Sequence, residues 1–288
     1  MQYPTVTTKL IILLGKPLGH SVSPQMHNLA FEKLGLDYCY LPVEVAPTDL
    51  QTVFNGLIRM NVVGLNVTIP HKINIIKYLD KLDPLAATIG AVNTICVQDG
   101  KTIGYNTDGE GFLQSLESEA HITPREKKFF LLGCGGAARA ISMTLAHHGA
   151  EKIFICNRTL SKAEKLTLEI NEEITNCAIT VPQNAGNRAD ILQKCDVLIN
   201  TTNIGMHPKE NALPIEESFI SKHLTVADIV YNPLTTQLLK VAKDRGCVTV
   251  HGLGMLINQG AAGFRLWTGA EPPIEEMSTS VFSAMSTG

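Results

Sequence analysis

Four polar runs in the first part of the chain carry the side chains from which a site could be built. They read Gly19-His20-Ser21-Val22-Ser23-Pro24, Asn66-Val67-Thr68-Ile69-Pro70-His71-Lys72, Gly90-Ala91-Val92-Asn93-Thr94 and Gly104-Tyr105-Asn106-Thr107-Asp108-Gly109. Each sits where a strand is expected to end, and loops at the carboxyl ends of parallel strands form the ligand crevice of an open α/β sheet. Short hydroxyls, amides, one amine and one carboxylate gathered there suit a ligand rich in hydroxyl groups. Ser21, Ser23 or Thr68 taken singly reads equally well as a helix cap or a turn residue. Four clusters at four strand ends make the case for a site.

A different chemistry is written at Phe-Phe-Leu-Leu-Gly133-Cys134-Gly135-Gly136-Ala137-Ala138-Arg139. The run follows an apolar strand and opens a helix, the setting that a dinucleotide fingerprint requires. Gly133 permits a tight turn, Gly135 lets the backbone approach a pyrophosphate, and Ala138 is small enough for close helix–strand packing. The helix amino terminus offers free amides and a partial positive charge to phosphates. After the next strand comes Asn157-Arg158-Thr159-Leu160-Ser161-Lys162, where an NAD site usually places an acidic residue. A guanidinium can fork onto a 2′-phosphate that a carboxylate would repel, so the expected cofactor is NADP.

Short apolar strands alternating with helical stretches position these groups, which argues for an α/β fold with largely parallel sheets. Strands are expected at 9–14, 38–45, 63–67 and 91–97, with helices around 25–34, 48–60 and 72–79. The pattern restarts near Pro124 with strands at 129–132, 152–156, 177–181, 196–200, 225–230 and 247–250, and helices at 137–149 and 163–174. The apolar segment after Gly252 is helical, with Leu256, Ala261, Phe264 and Trp267 on one face. The expected organisation is a substrate-binding catalytic domain over residues 1–112 and a Rossmann-type, doubly wound parallel-sheet NADP domain over 113–252. A helical segment over 253–288 is expected to return to the first lobe, leaving the cleft between lobes as the active site.

With 288 residues, 44% hydrophobic and 18% charged, the chain is long enough for two lobes and too apolar to be disordered. A net charge of −3 without a basic stripe gives no sign of nucleic acid. The apolar runs are too short to cross a bilayer, and the polar amino terminus lacks a signal-peptide pattern, so a cytoplasmic location is expected. Seven cysteines without a CxxC read as reduced, mostly buried thiols, and no metal site is expected, the adjacent His147 and His148 pointing apart on a helix. The oligomeric state is not legible; a homodimer is compatible with the sequence.

Nine blocks in order, HSVSP, NVTIPHK, GAVNT, YNTDG, GCGGAARA, NRTLSK, NTTNIGM, VYNP and GLGMLINQ, cover nearly the whole chain, and through them it resembles the shikimate dehydrogenase family, including its quinate/shikimate branch. The resemblance implies reversible reduction of 3-dehydroshikimate to shikimate with NADP, a step of chorismate and aromatic amino-acid biosynthesis. It implies that Ser21, Ser23, Thr68, Asn93, Asp108, Tyr231 and Gln259 bind substrate and that Lys72 and Asp108 are catalytic. It further implies cofactor contacts at Gly133, Cys134, Gly135, Gly136 and Ala137, at Asn157, Arg158, Thr159 and Lys162, and at Ile229, Gly252 and Met255. Hydride delivery to a ketone leaves negative charge on oxygen, and an ammonium at Lys72 can supply the proton and stabilise that charge. Cys134 stands where the family often has alanine or glycine, and Asn203 where it often has proline or serine. Thr68, where some quinate-tolerant relatives carry serine, and the missing carboxylate after the second strand lean toward shikimate and NADP. Two alternatives remain at this point: a quinate/shikimate dehydrogenase using NAD or NADP, and a non-catalytic NADP-binding regulatory module on the same fold.

Overall fold

The computed structural model describes residues 4–19, 21–60, 62–184 and 186–286. The chain divides into two compact units, one formed by 1–107 with 259–288 and the other by 108–258.

The first unit contains β1 (Lys9–Gly15), α1 (Ser23–Lys33), β2 (Tyr38–Glu44), α2 (Leu50–Ile58), β3 (Val62–Val67), β4 (Lys81–Leu82), α3 (Pro84–Ile89), β5 (Thr94–Gln98) and β6 (Lys101–Tyr105). Its sheet runs β2-β1-β3-β5-β6-β4. β1 pairs in parallel with β2 and β3 and β4 with β6, while β5 is antiparallel to both β3 and β6, so this sheet is largely parallel with one reversed strand. The reversal comes from a two-residue turn at Asp99-Gly100, both at positive φ (50° and 71°), which closes Gln98 onto Lys101. Asp-Gly is the pair that such a left-handed hairpin turn favours, because its twist matches that of the strands. The helix expected around 72–79 is a short 3₁₀ turn, Asn74–Tyr78.

α1 begins with Pro24 in its first turn, where the missing amide costs nothing, and buries Met26, His27, Ala30 and Phe31 on one face. His27 stacks on Tyr40 with ring centroids 4.6 Å apart and meets Trp267 edge-on at 5.3 Å. Neither ring nitrogen has a hydrogen-bond partner, and complete burial holds the imidazole down to about 3, so His27 packs as a neutral plate. The Trp267 indole donates from Nε1 to Ile95 O at 3.0 Å and fills the space that a Cβ on Gly64 of β3 would need.

The second unit contains α4 (Asp108–Ala120), β7 (Lys128–Leu132), α5 (Gly136–His147), β8 (Lys152–Asn157), α6 (Leu160–Glu173), β9 (Ala178–Pro182), α7 (Arg188–Leu192), β10 (Val197–Asn200), β11 (Thr225–Asp228), α8 (Gln237–Asp244) and β12 (Val248–His251). Then α9 (Gly252–Thr268) gives 252–258 to the second unit and the rest to the first, which α10 (Ile274–Ser286) completes. The second sheet is parallel throughout, ordered β12-β11-β10-β7-β8-β9. That is the doubly wound order of a dinucleotide-binding fold, whose chain direction switches between β7 and β10. Strands buried on both faces read as continuous apolar runs, as Phe129–Leu132 does. Among the described residues, no helix is long and apolar enough to cross a membrane.

Asp228, at the end of β11, ties the loops after β10 and β11 together. It accepts from Thr236 Oγ1 at 2.7 Å, from Asn200 Nδ2 at 2.9 Å and from Val230 N at 3.0 Å. Asn200 in turn accepts from the Thr202 amide and hydroxyl. The carboxyl is 2% exposed, and burial outweighs these donors, raising it from the ordinary 3.8 to about 6.

Two predictions follow from this packing. A side chain at Gly64 would occupy the space of the indole, so Gly64→Ala is expected to destabilise the protein by roughly 1–3 kcal/mol. Thermal melts followed by fluorescence of Trp267, the single tryptophan, read this directly. For Asp228, the folded state holds its proton more tightly than the unfolded chain. Its contribution is unaffected below the unfolded value, declines as pH rises from about 4 to 6, and is constant above. The stability of Asp228→Asn relative to the parent should therefore improve between pH 4 and 6, by about 3 kcal/mol at most, then level off. A difference that stays flat across that window contradicts the assignment.

Candidate functional site

At the switch point of the second sheet lies a cavity of about 390 Å³, bounded by the turn after β7, the end of β8 and the loop after β10. Gly133 leaves β7 at φ 107°, a conformation that glycine adopts without strain, and a Cβ there would run into the Thr201 hydroxyl. Thr201 is fixed by its amide and hydroxyl, both donating to Leu132 O, at 2.9 and 2.6 Å. Gly135 forms the N-cap of α5 without any side-chain cap hydrogen bond, and a Cβ at Gly135 or Gly136 would meet no protein atom within 4 Å. The space beside this helix start is thus open, while Ala138, fully buried, packs the helix onto the sheet.

Of the residues the sequence assigns to a cofactor, Gly133, Cys134, Gly135, Asn157 and Arg158 line this cavity together. Asn157 donates to Thr159 O at 2.9 Å, and Thr159 precedes α6 in an extended conformation, which starts the helix that carries Lys162. Gly136, Ala137, Thr159 and Lys162 lie on the adjoining helix starts but outside the cavity wall. Ile229 and Gly252 come together elsewhere in the unit. A Cβ on Gly252 would collide with the Ile229 carbonyl, which makes this a close passage of two backbones, and Met255 is buried one turn on in α9. Burial pushes the Cys134 thiol up to about 12, so it lines the turn as an inert group. None of the described side chains lining the cavity is a carboxylate. An uncapped, open helix start, a glycine turn and a guanidinium fit a dinucleotide with an extra phosphate. No described cluster of histidine, cysteine and carboxylates could hold a metal ion.

In the first unit the polar groups form a buried network around Asn93, which is 3% exposed. Its Oδ1 accepts from the Thr107 amide at 2.8 Å, and because a backbone amide can only donate, the side-chain orientation is fixed. Nδ2 therefore points to Thr107 Oγ1 at 3.0 Å and to Gln259 Oε1 at 3.4 Å. Behind Asn93, Asn66 donates to Thr94 Oγ1 at 3.1 Å and accepts from the Tyr40 hydroxyl at 2.8 Å. Lys72 lies in the segment alongside, its carbonyl accepting from Val92 N at 2.8 Å. Thr68 stands at the end of β3, its amide bonded to Leu14 O, with the Ser23 amide of α1 weakly bonded to Ser21 Oγ at 3.4 Å. His20, quoted in the first polar run, lies outside the described residues. Asp108 is the first residue of α4 in the second unit and is 6% exposed. Tyr231 is half-buried in the loop after β11, and burial raises its phenol above the ordinary value.

Sequence reasoning gave no role to the cavity residues Thr201, Thr202, Gln183 and Arg188, and it placed the supporting Asn66, Thr94 and Thr107 in the polar runs without a task of their own. The block NTTNIGM marked the first two, whereas nothing near Arg188 in the chain distinguishes it from an ordinary helix-start cation.

Comparison with known proteins covers the whole arrangement. Residues 13–95 match the model for the shikimate dehydrogenase substrate binding domain, 116–230 that for shikimate / quinate 5-dehydrogenase, and 252–282 that for the shikimate 5'-dehydrogenase C-terminal domain. A shikimate dehydrogenase (NADP(+)) of Methanocaldococcus jannaschii is 46% identical over 275 residues, spanning 95% of this chain and 96% of the relative. A crystal structure of a shikimate dehydrogenase with NADP+ superposes with a TM-score of 0.92 at 43% identity, covering 98% of both chains. The shikimate 5-dehydrogenase of Listeria monocytogenes, solved with shikimate and NAD, gives 0.93 at 39% identity over 98% of this chain and 99% of that one. With the doubly wound sheet, the glycine turn and the Asn93 network all in place, the chain belongs to the shikimate dehydrogenase family.

Proposed function

We propose that this protein is an NADP-dependent shikimate dehydrogenase, reversibly reducing 3-dehydroshikimate to shikimate in the cytoplasm, within aromatic amino-acid biosynthesis. The observation that carries the reading is the cavity at the switch point, where the fingerprint turn and Arg158 share one wall without a described carboxylate. It favours NADP over NAD, because the acidic residue that would accept from ribose hydroxyls and repel a 2′-phosphate is missing.

The nicotinamide, when bound, supplies or accepts a hydride; the rest is the work of the chain. The Gly133–Ala137 turn and the start of α5 hold the pyrophosphate through backbone amides. Asn157, Arg158, Thr159 and Lys162 hold the adenosine end, with Arg158 on the 2′-phosphate. Ile229, Gly252 and Met255 bound the nicotinamide end, where the tight Gly252–Ile229 passage leaves no room for a side chain. Ser21 and Ser23 bind the ring carboxylate, while Thr68, Asn93, Tyr231 and Gln259 bind ring hydroxyls. Asn93 and Gln259 suit this task because their mutual hydrogen bond fixes which polar atoms they present. Lys72 gives a proton to the carbonyl oxygen as charge develops there and takes it back in the oxidative direction. Asp108, the second catalytic residue, binds the reacting hydroxyl.

Steady-state rates with the four pairs of NADP or NAD and shikimate or quinate test the reading, and fastest turnover with NADP and shikimate is expected. Lys72→Ala should lower kcat by roughly 10²–10⁴-fold with a much smaller rise in KM for shikimate. Asp108→Ala should damage both, since it has two tasks. Near-normal turnover in Lys72→Ala rejects the mechanism even with the fold intact. Arg158→Ala should weaken NADPH binding by roughly 1.5–3 kcal/mol while leaving NADH nearly untouched; equal losses for both remove Arg158 from the 2′-phosphate.

A further inference from the structure

We propose that Arg188, at the start of α7, is a second cation of the 2′-phosphate site and acts with Arg158 to set the preference for the phosphorylated dinucleotide. This deepens the NADP reading and rests on it. Arg158 and Arg188 line the same cavity although thirty positions separate them in the chain. They differ in setting. Arg158 is exposed, whereas the Arg188 side chain is sunk to 13% exposure.

The Arg188 guanidinium is braced on one side from outside the cavity and on the other meets Cys156 of the cavity wall. Its Nη2 bonds Glu216 Oε1 at 2.8 Å, and its central carbon lies 5.4 Å from the centroid of the Phe219 ring. Neither Glu216 nor Phe219 lines the cavity. The planar fork is therefore held in one place at the wall of the cavity. Its Nε is buried and has no hydrogen-bond partner. A buried donor without an acceptor is costly, and an anionic oxygen is the acceptor that best relieves a guanidinium. Screening by solvent and salt is weaker for a sunken charge than for an exposed one, so each contact from Arg188 counts for more than a surface pair. The ligand class is a 2′-phosphorylated adenosine, whose doubly charged phosphate can take donors from both arginines.

The test is calorimetric titration of the full-length protein with adenosine 2′,5′-bisphosphate and with adenosine 5′-monophosphate, which differ only in the 2′-phosphate. Parent protein should prefer the bisphosphate. Arg188→Gln should weaken the bisphosphate about tenfold and the monophosphate by less than about twofold, with the gap narrowing as salt is added. A parent protein that binds the two equally defeats the NADP reading itself. A parental preference that survives Arg188→Gln intact overturns this inference alone. Equal loss for both ligands also overturns it, because Arg188 would then serve the adenosine or the cavity wall. Should Arg188→Gln fail to fold, Arg188→Lys carries the test. Losing the fork while keeping the charge is expected to lower the preference about threefold, and an unchanged preference overturns the inference.

Discussion

The turn at Gly133 is the constraint on which the second unit is built. β7 is the central strand at which the parallel sheet changes direction, and its last carbonyl, on Leu132, already takes the amide and hydroxyl of Thr201 from the neighbouring strand end. The chain must leave that crowded point at once and begin a helix. A residue at φ 107° pressed against a threonine hydroxyl can do so only without a Cβ. Everything the cavity offers follows from that departure: the start of α5 opens toward the crevice, and the ends of β8 and β10 close around it. Asp228 performs the corresponding task two strands further along, holding the loops after β10 and β11 by hydrogen bonds from Asn200 and Val230.

In the first unit the governing element is a single amide. Because the Thr107 amide must donate, the orientation of Asn93 is settled, and that of its partners follows through Thr94, Asn66 and Tyr40. Fully satisfied buried networks of this kind confer rigidity at little cost, since every donor finds an acceptor in a weakly screening interior. Shape is supplied by a different device, the aromatic layer in which His27, Tyr40, Phe264 and Trp267 interlock.

Much of this was legible in the sequence because periodicity and glycine placement are local signals. The strands of the second unit fall within a residue or two of where apolar runs put them, and the helix at 137–149 appears as Gly136–His147. What escaped depends on context. The β5–β6 hairpin was missed even though Asp99-Gly100 signals it, because a parallel reading of the surrounding strands left no place for a reversal. α4 escaped because Gly109 and Gly111 interrupt its first turn; Gly109 is required by packing against Thr144 of α5, which no local pattern encodes. The polar runs announced Thr68, Lys72, Asn93 and Asp108 as candidates, but the network that orients Asn93 joins residues far apart in the chain. Arg188 was invisible for the same reason: its setting is made by Glu216 and Phe219, about thirty positions away.

The division of the chain also bears on its manufacture. The second unit is continuous, 108–258, whereas the first needs 259–288 to be whole. Synthesis proceeds from the amino terminus, and domains generally fold as units. The inner face of α1, with His27 and Phe31, has no Phe264 or Trp267 to cover it until α9 has left the ribosome. The piece made first is thus completed only after the second unit, and until then its aromatic face lacks the cover that α9 supplies. Early termination within α9 would leave a complete second unit tethered to a half-built first one, a species suited to capture by chaperones and proteases rather than to function.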